Sequence, residues 1–548
     1  MLITLLLPLL WSVLTYTLYA LMAVVLLFIS KAILTELSFL YVMKKFTSEN
    51  KGAVMGKYHP YLGMVKFIAN PAVADINIPF AKELADLSDK SLVVYHMPVL
   101  PPFTMVLVLN QPAAMKEYLA KEVEYTKKLI GEEYNPLMNL GLGQEYGTHA
   151  LMHRSIYSEF FLYERMSKLK YRMAPIQEKK MPLLIKQHKI DSSKFTDIDL
   201  REFLVVVQLN WLSDIVFGCK QESDLDIDLT APDCQGIKDH DFGHLNLAGL
   251  ATVPLPQLLE AFLVTSFTGG RDLQDIVCFK LLSKYGLTTK WAKHHLVKKI
   301  IDRKIMSVYN KRYAEHVFDA GKQDDSENII DLVVHHNKKC LADGRTHEQL
   351  TDTDIIGDAT VFLFAGLDTS LQASTSCLLY CTKSYPEWLD KIKKDGLGSL
   401  DAIMNNKSLD LVMKETMRVW NPTPSSMLRM TIKPMQICGI TIPKGTTIIP
   451  PLGWNRDKPY FVDATKFRPE RFEEEVPRLE KEQRASHIPF YEGRRKCMGY
   501  VLGEMSIKLA VGNMLKMFEL ENRQDGEIRM EIGAVYAAVD AKIAIKMK

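Results

Sequence analysis

Phe490-Tyr491-Glu492-Gly493-Arg494-Arg495-Lys496-Cys497-Met498-Gly499 is the stretch from which the rest of this chain is best read. One cysteine follows three consecutive basic residues. It precedes the apolar positions Tyr500, Val501, Leu502 and Met505, whose spacing predicts a helix. A sulfur placed there lies near a helix N-terminus and beside positive charge, and both lower a thiol pKa. Gly493 and Gly499 lack the Cβ that would hold backbone away from a close neighbour. The bland interpretation is a buried, inert cysteine in a basic loop. Against it stands the fixed frame of Phe490, Gly493, Arg495, Cys497 and Gly499.

That frame resembles the Phe-x-x-Gly-x-Arg-x-Cys-x-Gly pattern of the cytochromes P450 at every fixed position. The resemblance implies haem b, with Cys497 as the axial thiolate ligand of its iron. Such a ligand pushes electron density onto the iron and favours O–O cleavage. It further implies that Arg495 pairs with a haem propionate, that Phe490 packs near the sulfur, and that Gly493 and Gly499 let backbone pass close to the macrocycle.

Three further stretches carry the same resemblance. Ala365-Gly366-Leu367-Asp368-Thr369-Ser370 interrupts a long apolar helix with small residues, an acid and hydroxyls. It resembles the family's distal motif, which implies that Ala365 and Gly366 leave room for O2. Thr369 would then hydrogen-bond the oxygen, and Asp368 would connect the site to solvent protons as a general acid. The competing interpretation is a hydroxyl pair bonding back to its own helix. Glu415-Thr416-Met417-Arg418 resembles the family's Glu-x-x-Arg, an i,i+3 pair on one helical face. Phe467-Arg468-Pro469-Glu470-Arg471-Phe472 resembles its Pro-Glu-Arg-Phe segment. Glu415, Arg418 and Arg471 are thereby expected to form a buried structural network. Glu475 and Arg478 copy the Glu-x-x-Arg spacing in a Pro-containing stretch and are discounted. Arg429 matches a further propionate partner. On an early helix, His149 stands where the family often has Trp, which leaves His149, His153 and Arg154 as alternatives for a propionate contact.

Outside these motifs the chain is read from composition and periodicity. Its 548 residues are 47% hydrophobic, ample for a core, and its net charge of +3 gives no field suited to nucleic acid. The eight cysteines are scattered, as befits a reducing compartment, and Cys377 and Cys381 share a helical face as two small core residues. Apolar residues at helical spacing predict helices over Glu202 to Phe217, Trp291 to Tyr313, Asp352 to Leu379 and Leu409 to Trp420. Ile437 to Ile442, Pro443-Lys444-Gly445 and Thr446 to Pro450 predict a β-hairpin, and Ala534 to Met547 a second. Cys234, Asp239, His240, Asp241 and His244 suggest a metal cluster but fit no standard ligand spacing, so a solvated loop is expected; His294-His295 are expected on a helix surface. Leu9 to Ser30 is long enough to cross a bilayer, and the lysines after it place the globular part of the chain in the cytosol. Asn406-Lys407-Ser408 would then be an unused glycosylation sequon.

The expected fold is mainly α with small β-sheets, the P450 fold, preceded by an N-terminal transmembrane helix. Residues 1–45 would be anchor and linker, and 46–548 the catalytic domain. The expected activity is insertion of one oxygen atom from O2 into a hydrophobic small molecule, at the endoplasmic reticulum membrane. No Gly-x-Gly-x-x-Gly opens a βαβ unit here, so NADPH-derived electrons are expected from a separate reductase. It would dock on a basic face of Arg154, Arg494, Lys496 and Lys508. The alternatives are a P450-fold isomerase or dehydratase that does not use O2, and a non-catalytic haem sensor. Phe362, Phe364, Ser425, Ser426, Met427 and Val535 are expected at the substrate pocket.

Overall fold

The computed structural model describes residues 37–56, 77–97, 104–128, 141, 147–218, 222–240, 242, 245–268, 285–319, 326–424, 428–450, 452, 458–480, 483, 487–524, 528–532, 535–538 and 541–548, and single positions between 19 and 34. The helices that bear on the site are α1 (Pro112–Tyr125), α2 (Gly147–Ser158), α3 (Leu200–Phe217), α4 (Leu255–Thr268), α5 (Thr289–Glu315), α6 (Ile329–Ala342), α7 (Asp352–Lys383), α8 (Lys407–Val419) and α9 (Tyr500–Met517). All four helices expected from periodicity are among them. The longest, α7, begins at a capping box: the Thr351 hydroxyl accepts from Asp354 N–H, and the Asp354 carboxylate accepts from Thr351 N–H at 2.8 Å. It is buried along most of its length and packs on α3 and α9, so it forms the axis of the molecule.

The strands are short and peripheral. Besides a separate antiparallel pair, Asp226–Asp228 with Thr252–Pro254, they are β1 (Ala53–Met55), β2 (Leu92–Met97), β3 (Thr104–Leu109), β4 (Thr126–Lys128), β5 (Thr196–Asp199), β6 (Arg429–Thr431), β7 (Met435–Ile437), β8 (Ile440–Ile442), β9 (Thr447–Ile449), β10 (Phe518–Asn522), β11 (Met530–Ile532), β12 (Tyr536–Ala538) and β13 (Lys542–Met547). The largest sheet runs β1-β2-β3-β9-β6-β4. The expected hairpin is corrected here. Ile437 to Ile442 is not one strand but two, folded at Cys438 and Gly439, both with positive φ (49° and 74°). Two consecutive left-handed residues make the tight turn that matches strand twist. β9 instead pairs with β3 and β6 in the large sheet. Ala534 to Met547 likewise supplies β12 and β13 to two different sheets.

The helix over 37–49 buries Met43 and Phe46 against the large sheet, so the boundary drawn at residue 45 falls within a helix that packs on the sheet domain. Most of residues 1–36 lie outside the described residues, and the expected anchor with them. Among the described residues no helix is long and apolar enough to cross a membrane. Asn406 caps α8 by accepting from Leu409 N–H at 2.8 Å, and its amide donates to Ile392 O and Gly396 O. Its side chain is buried, so the sequon is closed to a glycan whatever the topology.

Candidate functional site

The cysteine frame folds into a closed loop. Cys497 N–H donates to Phe490 O at 2.9 Å, Gly493–Arg495 forms a single 3-10 turn, and α9 begins at Tyr500 as the apolar spacing requires. Gly493 has φ +74°, a conformation that only glycine adopts without strain. Gly503 lies under the Phe490 ring, where a Cβ would stand 3.3 Å from the ring edge. Phe490 therefore packs onto the first turn of α9 and fixes the loop to the helix.

Cys497 keeps accessible surface, while desolvation by the surrounding protein still acts on its thiol. Burial pushes its thiol up, while the Gly499 N–H, Arg154 and Lys496 act in the opposite direction. The cations that bear on the sulfur are thus Lys496 and Arg154. Arg494 is exposed and Arg495 turns to another cluster.

That cluster draws together Arg154 from α2, Arg429 from β6 and Arg495 from the loop. Arg154 donates to Lys496 O. Arg495 is lowered first by burial and next by the charges of Arg429 and Arg154, the mark of cations crowded against their mutual repulsion. All three lie within Coulombic reach of Glu122 on α1. Of the α2 alternatives, His153 is buried within reach of His336 on α6, and the His149 side chain lies outside the described residues. Among the described α2 side chains, Arg154 reaches the cysteine loop.

Across the core, the midpoint of α7 exposes Ala365 and half-exposes Thr369, although the helix is otherwise largely buried. The Thr369 hydroxyl donates to Ala365 O at 2.7 Å, the back-bond of the bland interpretation. Its oxygen keeps lone pairs for a further donor. Gly366 turns the other way. A Cβ there would meet Leu212 Cδ1 at 2.9 Å, so its small size serves the α3–α7 packing and the room beside Thr369 is left by Ala365. Asp368 is buried and accepts from Arg201 of α3 at 3.3 Å. Burial raises its carboxyl above the ordinary range, Arg201 opposes the rise, and Glu260 of α4 adds to it. Asp368 and Glu260 line one small cavity with Leu263, Phe364 and Leu367.

Glu415, Arg418 and Arg471 form the network expected of them. Arg418 donates to both Glu415 oxygens at 2.7 and 2.8 Å, Arg471 Nε–H donates at 3.1 Å, and Arg468 N–H donates at 2.7 Å. All three charged side chains are at most 2% exposed. Glu475, discounted as a partner of Arg478, instead accepts from Arg471 at 3.2 Å.

Several expectations move. The loop of Cys234 and His240 is solvated at Asp233, Gln235 and Asp239 as expected, but Cys234 and His240 themselves are buried, and His240 meets His294 of α5 at 2.9 Å between ring nitrogens. His294 is therefore a core residue, held down to about 4 by burial. Asp241 and His244 lie outside the described residues, and no metal-holding group of three occurs among the described ones. Lys508 is tied to Asp410 at 2.9 Å and largely covered, so it is not part of a free basic face. Ser425, Ser426 and Met427 lie outside the described residues. Glu122, Arg201 and Glu260 are site residues that no sequence motif marked. Only Glu122 carried a signal, an acid one turn from Tyr118 on the apolar face of α1.

A thiol loop whose following helix packs on a long central helix carrying an acid–hydroxyl pair is the arrangement a thiolate-ligated haem protein would need. The family model for cytochrome P450 matches residues 96–542. Cytochrome P450 3A15 of Cavia porcellus is 27% identical over 240 residues, 42% of this chain and 46% of that protein. Putative cytochrome P450 136 of Mycobacterium tuberculosis is 32% identical over 210 residues, 37% and 42% of the two chains. The matches thus span just under half the length of these curated relatives. The crystal structure of the cytochrome P450DA heme domain shares the fold, with a TM-score of 0.65 over 90% of this chain and 98% of that one at 16% identity. The chain belongs to the cytochrome P450 family.

The family's prosthetic group is haem b, and the residues present fit it. The cysteine is accessible, with cations acting on it, and three guanidiniums act on one another nearby where a dianionic edge would be held. Cys497 would ligate the iron, and Arg154, Arg429 and Arg495 would hold the propionates.

Proposed function

We propose that this protein is a haem-thiolate monooxygenase, inserting one atom of O2 into a hydrophobic small molecule with electrons from a separate NADPH-dependent reductase. The observation that carries the reading is the Cys497 loop, which the Cys497 N–H to Phe490 O bond closes while Cys497 itself stays accessible. When bound, haem supplies the oxygen activation, which a thiolate ligand favours. The chain supplies the rest. Arg154, Arg429 and Arg495 would hold the propionates of the group and so orient it. Apolar side chains around Phe362, Phe364 and Leu363 exclude water. Asp368, its carboxyl raised by burial, is the proton donor toward the Thr369 hydroxyl, with Arg201 linking the carboxyl to the outside. This acid–hydroxyl pair favours monooxygenation over isomerisation or dehydration, which need no proton supply to oxygen. The Leu9 to Ser30 run and the lysines after it support an anchor in the endoplasmic reticulum membrane, with the domain in the cytosol. The reduced carbonyl complex of the purified protein should show the red-shifted absorption of a thiolate ligand. A Cys497→His protein that keeps the same band would remove Cys497 as the ligand.

A further inference from the structure

Glu122 is a carboxylate that the proposed reaction does not use, and it is 1% exposed. A buried acid persists only with partners that compensate its desolvation. Its Oε2 accepts from the Tyr491 hydroxyl at 2.5 Å, while Oε1 has no hydrogen-bond partner. Tyr118, one turn back on α1, lies close enough to bear on the same group. Tyr491 is itself in the cysteine loop, between Phe490 and Gly493, and its backbone is left-handed at φ 63°. A non-glycine residue pays about 1–2 kcal/mol for that conformation, so its surroundings must hold it there. Tyr491 N–H to Ile488 O at 2.9 Å and the bond to Glu122 do so. Burial raises the Glu122 carboxyl, and the Tyr491 hydroxyl, Arg429, Arg495 and Tyr118 oppose that rise in favour of the charged form, with Arg154 also within Coulombic reach.

Building on the haem-thiolate reading, we propose that Glu122 is a positioning residue for the prosthetic group, whose buried negative charge gathers the three propionate-holding arginines and pins the ligand loop through Tyr491. Two propionates and Glu122 balance the three guanidiniums. With Glu122 neutral, one uncompensated positive charge remains beside the haem and favours the added electron of the reduced state. The charge of Glu122 therefore lowers the haem midpoint potential, which a residue that merely fills space would not do.

The test uses the full chain loaded with haem, after the wild-type carbonyl complex has shown the thiolate band. Absence of that band defeats the haem-thiolate reading itself and is thereby distinguishable from failure here. Spectroelectrochemical titration of E122Q should give a midpoint potential shifted upward, and E122D, which restores the charge, should return it toward wild type. A haem-loaded E122Q protein at the wild-type potential overturns the proposal. Where E122Q does not hold haem, loading of E122D supports the need for charge, and failure of both variants overturns it in favour of a packing role.

Discussion

Thr369 and Asp368 sit side by side on α7 but face different surroundings. The Thr369 hydroxyl is anchored on Ala365 O and its side is partly open. Asp368 is buried and looks toward Arg201 and Glu260. This division suits a donor that recharges from one side and a hydroxyl that relays to the other. Thr369→Ala should keep the fold, since the lost bond is one back-bond on an intact helix. It should divert consumed reducing equivalents to peroxide. Peroxide formed per NADPH is the measurement, and a ratio equal to wild type would take Thr369 out of the proton path.

At the scale of elements, the charged network joins α8 to the segment 462–475. Glu415 compensates two buried guanidiniums and the Arg468 N–H together. Removal of one partner of such a group leaves buried charge uncompensated and costs about 3–5 kcal/mol. Glu415→Ala should therefore lose most folded, haem-loaded protein, read as the yield of thiolate-type carbonyl complex per chain. Soluble, fully loaded Glu415→Ala would contradict the structural assignment.

On the scale of the whole molecule, Lys458 is a further buried cation, away from the site. The Lys458 ammonium donates to Leu84 O at 3.2 Å, to Asn110 O at 3.0 Å and to Asn110 Oδ1, and so ties distant segments to the sheet. Burial pushes it down to about 7. The unfolded chain binds that proton up to its ordinary pKa of about 10.4, so between the two values the unfolded state carries more protons. Stability contributed by this position should therefore rise with pH from about 7 toward 10 and be flat below. Lys458→Met should abolish that slope in urea unfolding curves taken across the window; an unchanged slope would assign it elsewhere. Reductase docking also belongs to this scale. Arg494 is exposed, and Lys496 is partly exposed beside Glu492 at 3.5 Å. Reversal of Arg494 to Glu, which leaves the cations acting on the sulfur in place, should slow first-electron transfer at low salt and spare substrate binding, because exposed charges act mainly on the association rate. Equal reduction kinetics across salt would place docking on another surface.

The amino-acid order by itself determined the elements whose cause is local. Helical spacing located α3, α5, α7 and α8. The frame around Cys497 located a loop closed by one backbone hydrogen bond and followed by α9. The i,i+3 pair Glu415 and Arg418 was legible for the same reason. Tertiary structure alone decided what depends on residues far apart in the chain. It brought Glu122, 369 positions before Tyr491, into the ligand loop. It turned Gly366 toward Leu212, and it buried His294 against His240. It also split the expected hairpin, because β9 found partners in β3 and β6. Periodicity reports which face of an element is apolar. It does not report which distant element covers that face, because the energy that decides this comes from long-range burial and charge pairing.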